Sequence, residues 1–211
     1  MKTIAIFGAS GETGQELVKQ VLKRGWAVKA LCRRRSALRV HDVNLLMYEG
    51  EITLEACKEL VCSADAVVCA LGQRPNAMQP FCAEATATIL KAMKECGVER
   101  FICITGAMVG ERNAAYRSWF IRQMANAFRK KMPKIAHDRE QQENIIAESG
   151  MKWTVVKPPR LSNSVAYGNY KIGENIPVSV FSHIGRADVG AFILQSIEDT
   201  STFNKFLVVK A

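Results

Sequence analysis

Apolar positions follow two rhythms along this chain. Short runs rich in aliphatic and β-branched residues predict strands: "TIAIF", "WAVKALC", "NLLMY", "DAVVCAL", "RFICIT", "KWTVVK" and "KFLVV". Between them, Glu12–Arg24, Leu54–Cys62, Phe81–Cys96, Asp138–Ser149 and Ala187–Ile197 carry apolar residues three and four apart, which predicts helices. Strands that alternate with helices imply βαβ units and a mainly parallel sheet covered on both faces. Right-handed crossovers then favour a doubly wound α/β arrangement. No repeat, low-complexity tract or linker interrupts the pattern, so residues 1–211 are expected to form one domain.

Composition narrows the classes of function. No apolar run approaches the roughly 20 residues that span a bilayer. Met1-Lys2-Thr3-Ile4 leads directly into a strand without a signal-peptide core, so a cytoplasmic protein is expected. The seven cysteines form no CxxC pair and no metal-ligand spacing, and several sit inside apolar runs. They are expected to be buried, reduced thiols, and no metal is expected. The net charge of +9 is unevenly spread: Glu111 to Arg139 holds eight Lys or Arg against two acids. A basic balance suits a phosphorylated ligand, an anionic membrane or nucleic acid, and no nucleic-acid motif accompanies it.

The most informative stretch is "AIFGASGETG", in which Gly8, Gly11 and Gly14 leave a strand and enter a helix. One glycine permits the tight turn, one lets the backbone approach a pyrophosphate, and one lets helix and strand pack closely. The helix N-terminus adds free N–H groups and the positive end of its dipole. Ser10, Glu12 and Thr13 lie in the same turn, with Ser10 and Thr13 as hydroxyl donors. Strand, turn, helix and second strand fall within the expected length of a dinucleotide-binding βαβ unit.

The second strand ends in "LCRRRS". A site for the unphosphorylated dinucleotide would place Asp or Glu there, to bind the ribose hydroxyls. Arg33, Arg34 and Arg35, followed by Ser36, suit a 2′-phosphate instead, so NADP(H) is expected over NAD(H), with Arg33, Arg34 and Ser36 as its ligands. Ligands of open α/β sheets lie beyond the carboxyl ends of the strands. That rule adds Ala70, Leu71 and Gly72 after the fourth strand, with Gln73 and Arg74 beyond them. It adds Thr105, Gly106 and Ala107 after the fifth, and Lys157, Pro158, Pro159 and Arg160 after the sixth.

These residues resemble the atypical short-chain dehydrogenase/reductase family, above all its flavin reductase/biliverdin-IXβ reductase branch and the NmrA-like NAD(P)-binding proteins. The blocks that carry the resemblance are "IAIFGASGETG", "ADAVVCALGQRPN", "AMKECGVERFICITGA", "IIAESGMKWTVVKPPRL" and "SHIGRADVGAFIL", in that order over nearly the whole chain. The resemblance implies one Rossmann domain that binds NADP(H) and passes hydride to a flavin or a planar tetrapyrrole. Two departures weigh against biliverdin. Gly106 stands where the branch has the serine of a "TSA"-like triplet, and Arg160 stands where the tetrapyrrole-reducing member has a histidine. Neither hinders a flavin, which needs mainly stacking and orientation.

The Tyr-x-x-x-Lys pair of dehydrogenases is not where that chemistry needs it. After the fifth strand Tyr116 is followed at the required spacing by Phe120. The one match, Tyr167 to Lys171, follows the sixth strand in a turn-rich segment. His41, His137 and His183 read as structural, and Asp138 as the N-cap of a helix. Glu143, on the helix leading into the sixth strand, reads as solvated surface, with a position facing the crevice as the alternative. Thr105 or water is the expected proton donor.

The segment at about 111–136 pairs aromatics and methionines with arginines and lysines at near-helical spacing. It suits a helix with an apolar stripe formed by Tyr116, Phe120, Met124, Ala127 and Met132. The alternatives are a wall of the substrate site, with Tyr116, Arg74 and Arg160 against a small planar redox acceptor, or a peripheral contact with a membrane or a protein. Two functions remain open: an NADPH-dependent oxidoreductase for a flavin, quinone or similar acceptor, and a non-catalytic NADP(H)-sensing regulatory protein of the NmrA-like kind.

Overall fold

The computed structural model describes residues 1–72, 80–109 and 119–211, apart from the side chains of Arg35, Phe120, Ile121 and Met124. The seven strand-like runs become β1 (Thr3–Phe7), β2 (Ala27–Cys32), β3 (Leu45–Glu49), β4 (Ala66–Cys69), β5 (Arg100–Ile104), β6 (Lys152–Lys157) and β10 (Lys205–Lys210). They lie parallel in the order β3-β2-β1-β4-β5-β6-β10, and the short β8 (Lys171–Gly173) adds antiparallel to β10. β7 (Arg160–Ser162) and β9 (His183–Gly185) pair separately. The order reverses between β1 and β4, and that switch point is where a Rossmann sheet opens its crevice.

The period of two along each strand sends alternate side chains to opposite faces. On β1, Ile4 and Ile6 join a layer with α1 (Glu12–Lys23) and α6 (Arg186–Ser196), through Leu17, Val18, Val21, Phe192 and Ile193. Ala5 and Phe7 join the other layer, with α2 (Leu54–Val61), α3 (Cys82–Cys96) and α5 (Pro133–Ala147). Central strands are buried on both faces, which explains their continuous apolar runs. Burying one such side chain contributes about 1.5–3 kcal/mol.

Helix boundaries correct two expectations. The last long helix of the middle region begins at Pro133, five residues before Asp138. Proline suits the first helical position, where its missing N–H costs nothing. Asp138 is therefore inside α5, and it caps a different helix: its carboxylate accepts from the N–H groups of Cys82 and Ala83, which open α3, at 3.1 and 3.0 Å. The basic segment is also more than one helix, since α4 (Trp119–Lys131) ends before Pro133. On α4 only part of the expected stripe is described, and there Ala127 is exposed while Ala125 is buried. Trp119 is 71% exposed. Arg129 ties α4 to α5 through Glu140, at 2.9 Å.

The thiol expectation is corrected too. Cys62, just past α2, and Cys96, closing α3, form a disulfide with their Cα atoms 5.1 Å apart. An ion pair between Lys58 and Glu95 spans the same two helices at 2.8 Å. Cys32, Cys57, Cys69, Cys82 and Cys103 are free and buried. Among the described residues no helix is long and apolar enough to cross a membrane, and no cluster of His, Cys, Asp or Glu is arranged to hold a metal ion.

Candidate functional site

The turn between β1 and α1 is built from glycine because two of its backbone contacts leave no room for anything else. Gly8 has φ +83°, and a Cβ there would lie 2.6 Å from the Ala70 carbonyl oxygen. A Cβ on Gly14 would lie 2.1 Å from the Gly8 carbonyl oxygen, so α1 rests directly on the turn. Gly11 differs. Its Cβ would meet only the Gly8 carbonyl oxygen, at 3.4 Å, and the residue is exposed at the N-cap of α1. At Gly11 the fold itself leaves room for a side chain.

That space opens into a cleft of about 1120 Å³. Ten of the expected cofactor residues line it: Gly8, Ser10, Gly11, Glu12, Thr13, Gly14, Arg33, Ala70, Leu71 and Gly72. Arg34 and Ser36 are exposed beside Arg33 but are not in its wall, and the Arg35 side chain is outside the described set. Arg74 and Tyr116 lie outside the described residues. Arg160 is exposed at the start of β7 and is not in the cleft wall, although the next residue, Leu161, is.

Several lining residues were missed by the sequence reading. Gly50, Glu51 and Ile52 follow β3, where the strand-end rule applies as it does elsewhere. Phe81, Glu84, Ala85 and Thr88 line the cleft from the first turns of α3. Their spacing marks one helix face, a signal present in the sequence. Arg186, first residue of α6, closes one side by pairing with Glu12 at 2.6 Å and donating to the Asn163 side-chain oxygen at 2.7 Å. Cys32 also lines the cleft, and burial, with Glu49 nearby, pushes its thiol up.

The ends of β5 and β6 form a second group, held as one unit but outside that cleft's lining. The Thr105 N–H donates to the Val156 carbonyl at 3.0 Å, and the Ala107 N–H to the Pro158 carbonyl at 2.9 Å. These bonds lock Thr105 and Gly106 against Pro158 and Pro159. Beneath them sits a buried ion pair. Lys157 is 0% exposed and Glu143 3%, and the ammonium contacts the Glu143 Oε1 directly. Lys157 also donates to the Val109 carbonyl at 2.6 Å, and the Thr105 hydroxyl donates to the same Glu143 oxygen at 2.7 Å. Burial pushes the Lys157 ammonium below its ordinary value, and Glu143 opposes that shift. Glu143 is thus no solvated surface residue, which corrects that reading of it.

α5 explains why. Asp138, Arg139, Gln142 and Glu143 share the helix face that also carries the buried Ile146. Arg139 donates to the Leu71 carbonyl at 3.2 Å and to the Gln142 side-chain oxygen at 2.7 Å. Gln142 donates to the Thr86 hydroxyl at 2.9 Å and to Cys103 Sγ at 3.4 Å. One polar face therefore fixes the ends of β4, β5 and β6 together with the start of α3. The unhelpful Tyr-Lys spacing stays unhelpful: Tyr167 is exposed in a loop and Lys171 is exposed on β8. His41, His137 and His183 are all exposed, His137 within α5 and His183 opening β9.

Comparisons with known proteins agree with this geometry. The model of a family described as NAD(P)H-binding matches residues 8–200. An uncharacterized chloroplastic protein of Arabidopsis thaliana is 30% identical over 184 residues, which cover 80% of this chain and 62% of that protein. The chain thus spans less than two thirds of that relative's length. Two examples stand for the solved structures that share the fold. ChuY, an anaerobilin reductase of Escherichia coli O157:H7, superposes with a TM-score of 0.79 at 18% identity, covering 99% of this chain and 96% of the other. A short-chain dehydrogenase/reductase of Veillonella parvula, solved with NADP, gives 0.76 at 19% identity, covering 100% and 94%.

Proposed function

Because the chain belongs to the NAD(P)H-binding family, we propose that it is an NADPH-dependent reductase that delivers hydride to a flavin, quinone or similar planar acceptor. The observation that carries the reading is Gly11, an exposed N-cap at the start of α1 with room beside it, on the same cleft wall as Arg33. NADPH, when bound, supplies the hydride. The N–H groups that open α1 are free to donate to its diphosphate, and the helix dipole adds to the attraction. Arg33, with Arg34 and Ser36 beside it, meets the 2′-phosphate, where a guanidinium binds in two-pronged geometry at any working pH. Glu51 and Glu84, both in the cleft wall, offer acceptors to the amino group of adenine.

At the other end Thr105, Gly106, Pro158 and Pro159 shape the floor under the reacting ring, on a support made rigid by Glu143 and Lys157. Orientation of the two rings supplies the catalysis. The lack of a Tyr-x-x-x-Lys pair on the helix after β5 favours one alternative, a protein that binds NADP(H) and does not turn over.

Calorimetry with NADPH and NADH, followed by NADPH oxidation with FMN, riboflavin and simple quinones, tests both. The proposal expects tighter binding of NADPH and turnover on at least one acceptor. Arg33→Ala is expected to lose about 10- to 100-fold in NADPH affinity and little for NADH, from one charge-assisted contact. Tight binding without turnover would select the sensing protein, and equal affinity for both coenzymes would reject the arginine assignment.

A further inference from the structure

The proton of the Thr105 hydroxyl is already committed. Thr105 Oγ1 donates to Glu143 Oε1 at 2.7 Å, and that oxygen is also held by Lys157. A carboxylate can only accept, so the hydroxyl must give its hydrogen to Glu143. Glu143 Oε1 thus faces two donors, the Thr105 hydroxyl and the buried Lys157 ammonium, whose other partner is the Val109 carbonyl. Thr105 is half-buried, and its oxygen keeps lone pairs on the side away from Glu143.

We infer that Thr105 serves the NADPH site as a hydrogen-bond acceptor for the nicotinamide carboxamide N–H, with Glu143 and Lys157 as its positioning residues, and that no proton is delivered from Thr105 to the acceptor. This rests on the reductase reading above and narrows its substrates. Hydride brings two electrons and one proton to the acceptor, while the dihydronicotinamide is oxidised to the pyridinium form. The second proton must then come from water. Acceptors that tolerate an anionic reduced form, such as flavins and quinones, suit this site. Isolated ketones and aldehydes, whose alkoxide products require an acid in the transition state, do not.

The test uses the full-length protein, with Thr105→Val, Thr105→Ser, Glu143→Gln and the Thr105→Val/Glu143→Gln pair, each checked by thermal melting. NADPH affinity is read by calorimetry, independently of turnover. Thr105→Val is expected to raise the NADPH Kd about five- to tenfold, the value of one neutral hydrogen bond, while Thr105→Ser restores it. Glu143→Gln is expected to weaken binding through Thr105, so the double variant is no weaker than the worse single one. With FMN as acceptor, the pH profile of kcat for Thr105→Val between about pH 6 and 9 is expected to keep the wild-type shape, because no proton leaves Thr105.

A kcat loss of 100-fold or more with unchanged Kd would make Thr105 the acid and overturn the inference. An unchanged Kd in Thr105→Val, or additive losses in the double variant, would overturn it as well. Should Glu143→Gln fail to fold, the Val and Ser variants decide alone. A wild-type protein that binds NADPH but reduces nothing would sink the reductase reading, while the Kd measurements still judge Thr105. A wild type that binds no NADPH would sink both.

Discussion

The three glycines of the β1–α1 turn allow folding and cofactor binding to be separated by single methyl groups. In Gly14→Ala the new carbon would sit 2.1 Å from the Gly8 carbonyl oxygen. Close carbon–oxygen contacts lie near about 3.3 Å, so roughly 1 Å must be recovered by moving backbone of β1 or α1. β1 is buried within the sheet and α1 packs on it through Leu17, Val18 and Val21, which places the cost near the upper end of overpacking, about 3 kcal/mol. For a chain of this size that lowers Tm by about 6–12 °C. Gly8→Ala combines a left-handed φ of +83° with a contact of 2.6 Å to the Ala70 oxygen, and is expected to cost a similar amount.

Gly11→Ala behaves differently. Its methyl group meets the protein only at 3.4 Å, so the fold loses about 0.5 kcal/mol through a poorer N-cap. The same methyl group occupies the space assigned to the diphosphate. Calorimetry is expected to show NADPH affinity reduced by about 30-fold or more, a loss of about 2 kcal/mol. Melting curves and calorimetry on the three variants decide the matter. If Gly11→Ala binds NADPH as wild type does, or if it melts as low as Gly14→Ala, the assignment of roles in this turn is wrong.

Two further outcomes concern the scaffold. The Cys62–Cys96 bond closes a loop of 34 residues. In the chain-entropy treatment it stabilises by about 3.7 kcal/mol, so dithiothreitol or Cys62→Ser/Cys96→Ser is expected to lower Tm by about 10 °C; no change on reduction would show that the thiols are free in solution. Asp138→Ala removes the acceptor for two N–H groups of α3, and is expected to cost about 1–2 kcal/mol, with faster hydrogen exchange at Cys82 and Ala83. Exchange at wild-type rates there would contradict the cross-helix cap.

The sheet was legible because its signal is local. A strand buried on both faces needs a continuous apolar run, and each of the seven runs became a strand of the main sheet. β7, β8 and β9 have three residues each, too few to carry a period. The glycine turn was legible because close backbone approach leaves a mark on residue type. What escaped depends on which helix faces which. Asp138 and Glu143 have the composition of surface residues, and only the seating of α5 against β5, β6 and α3 turns them inward. Pro133 was the available clue that the helix began earlier than its charged cap. Cys62 and Cys96 are 34 residues apart and meet because the C-terminal ends of α2 and α3 lie side by side. No spacing rule announces that.

The four inward polar residues of α5 have one more implication. Asp138, Arg139, Gln142 and Glu143 each hold a different neighbour, yet all move with a single rod. Inserting or deleting one residue upstream of them within that rod would rotate the whole set by about 100° and release every attachment together. A slip in the register of that rod would thus undo at a stroke what a single substitution undoes only in part.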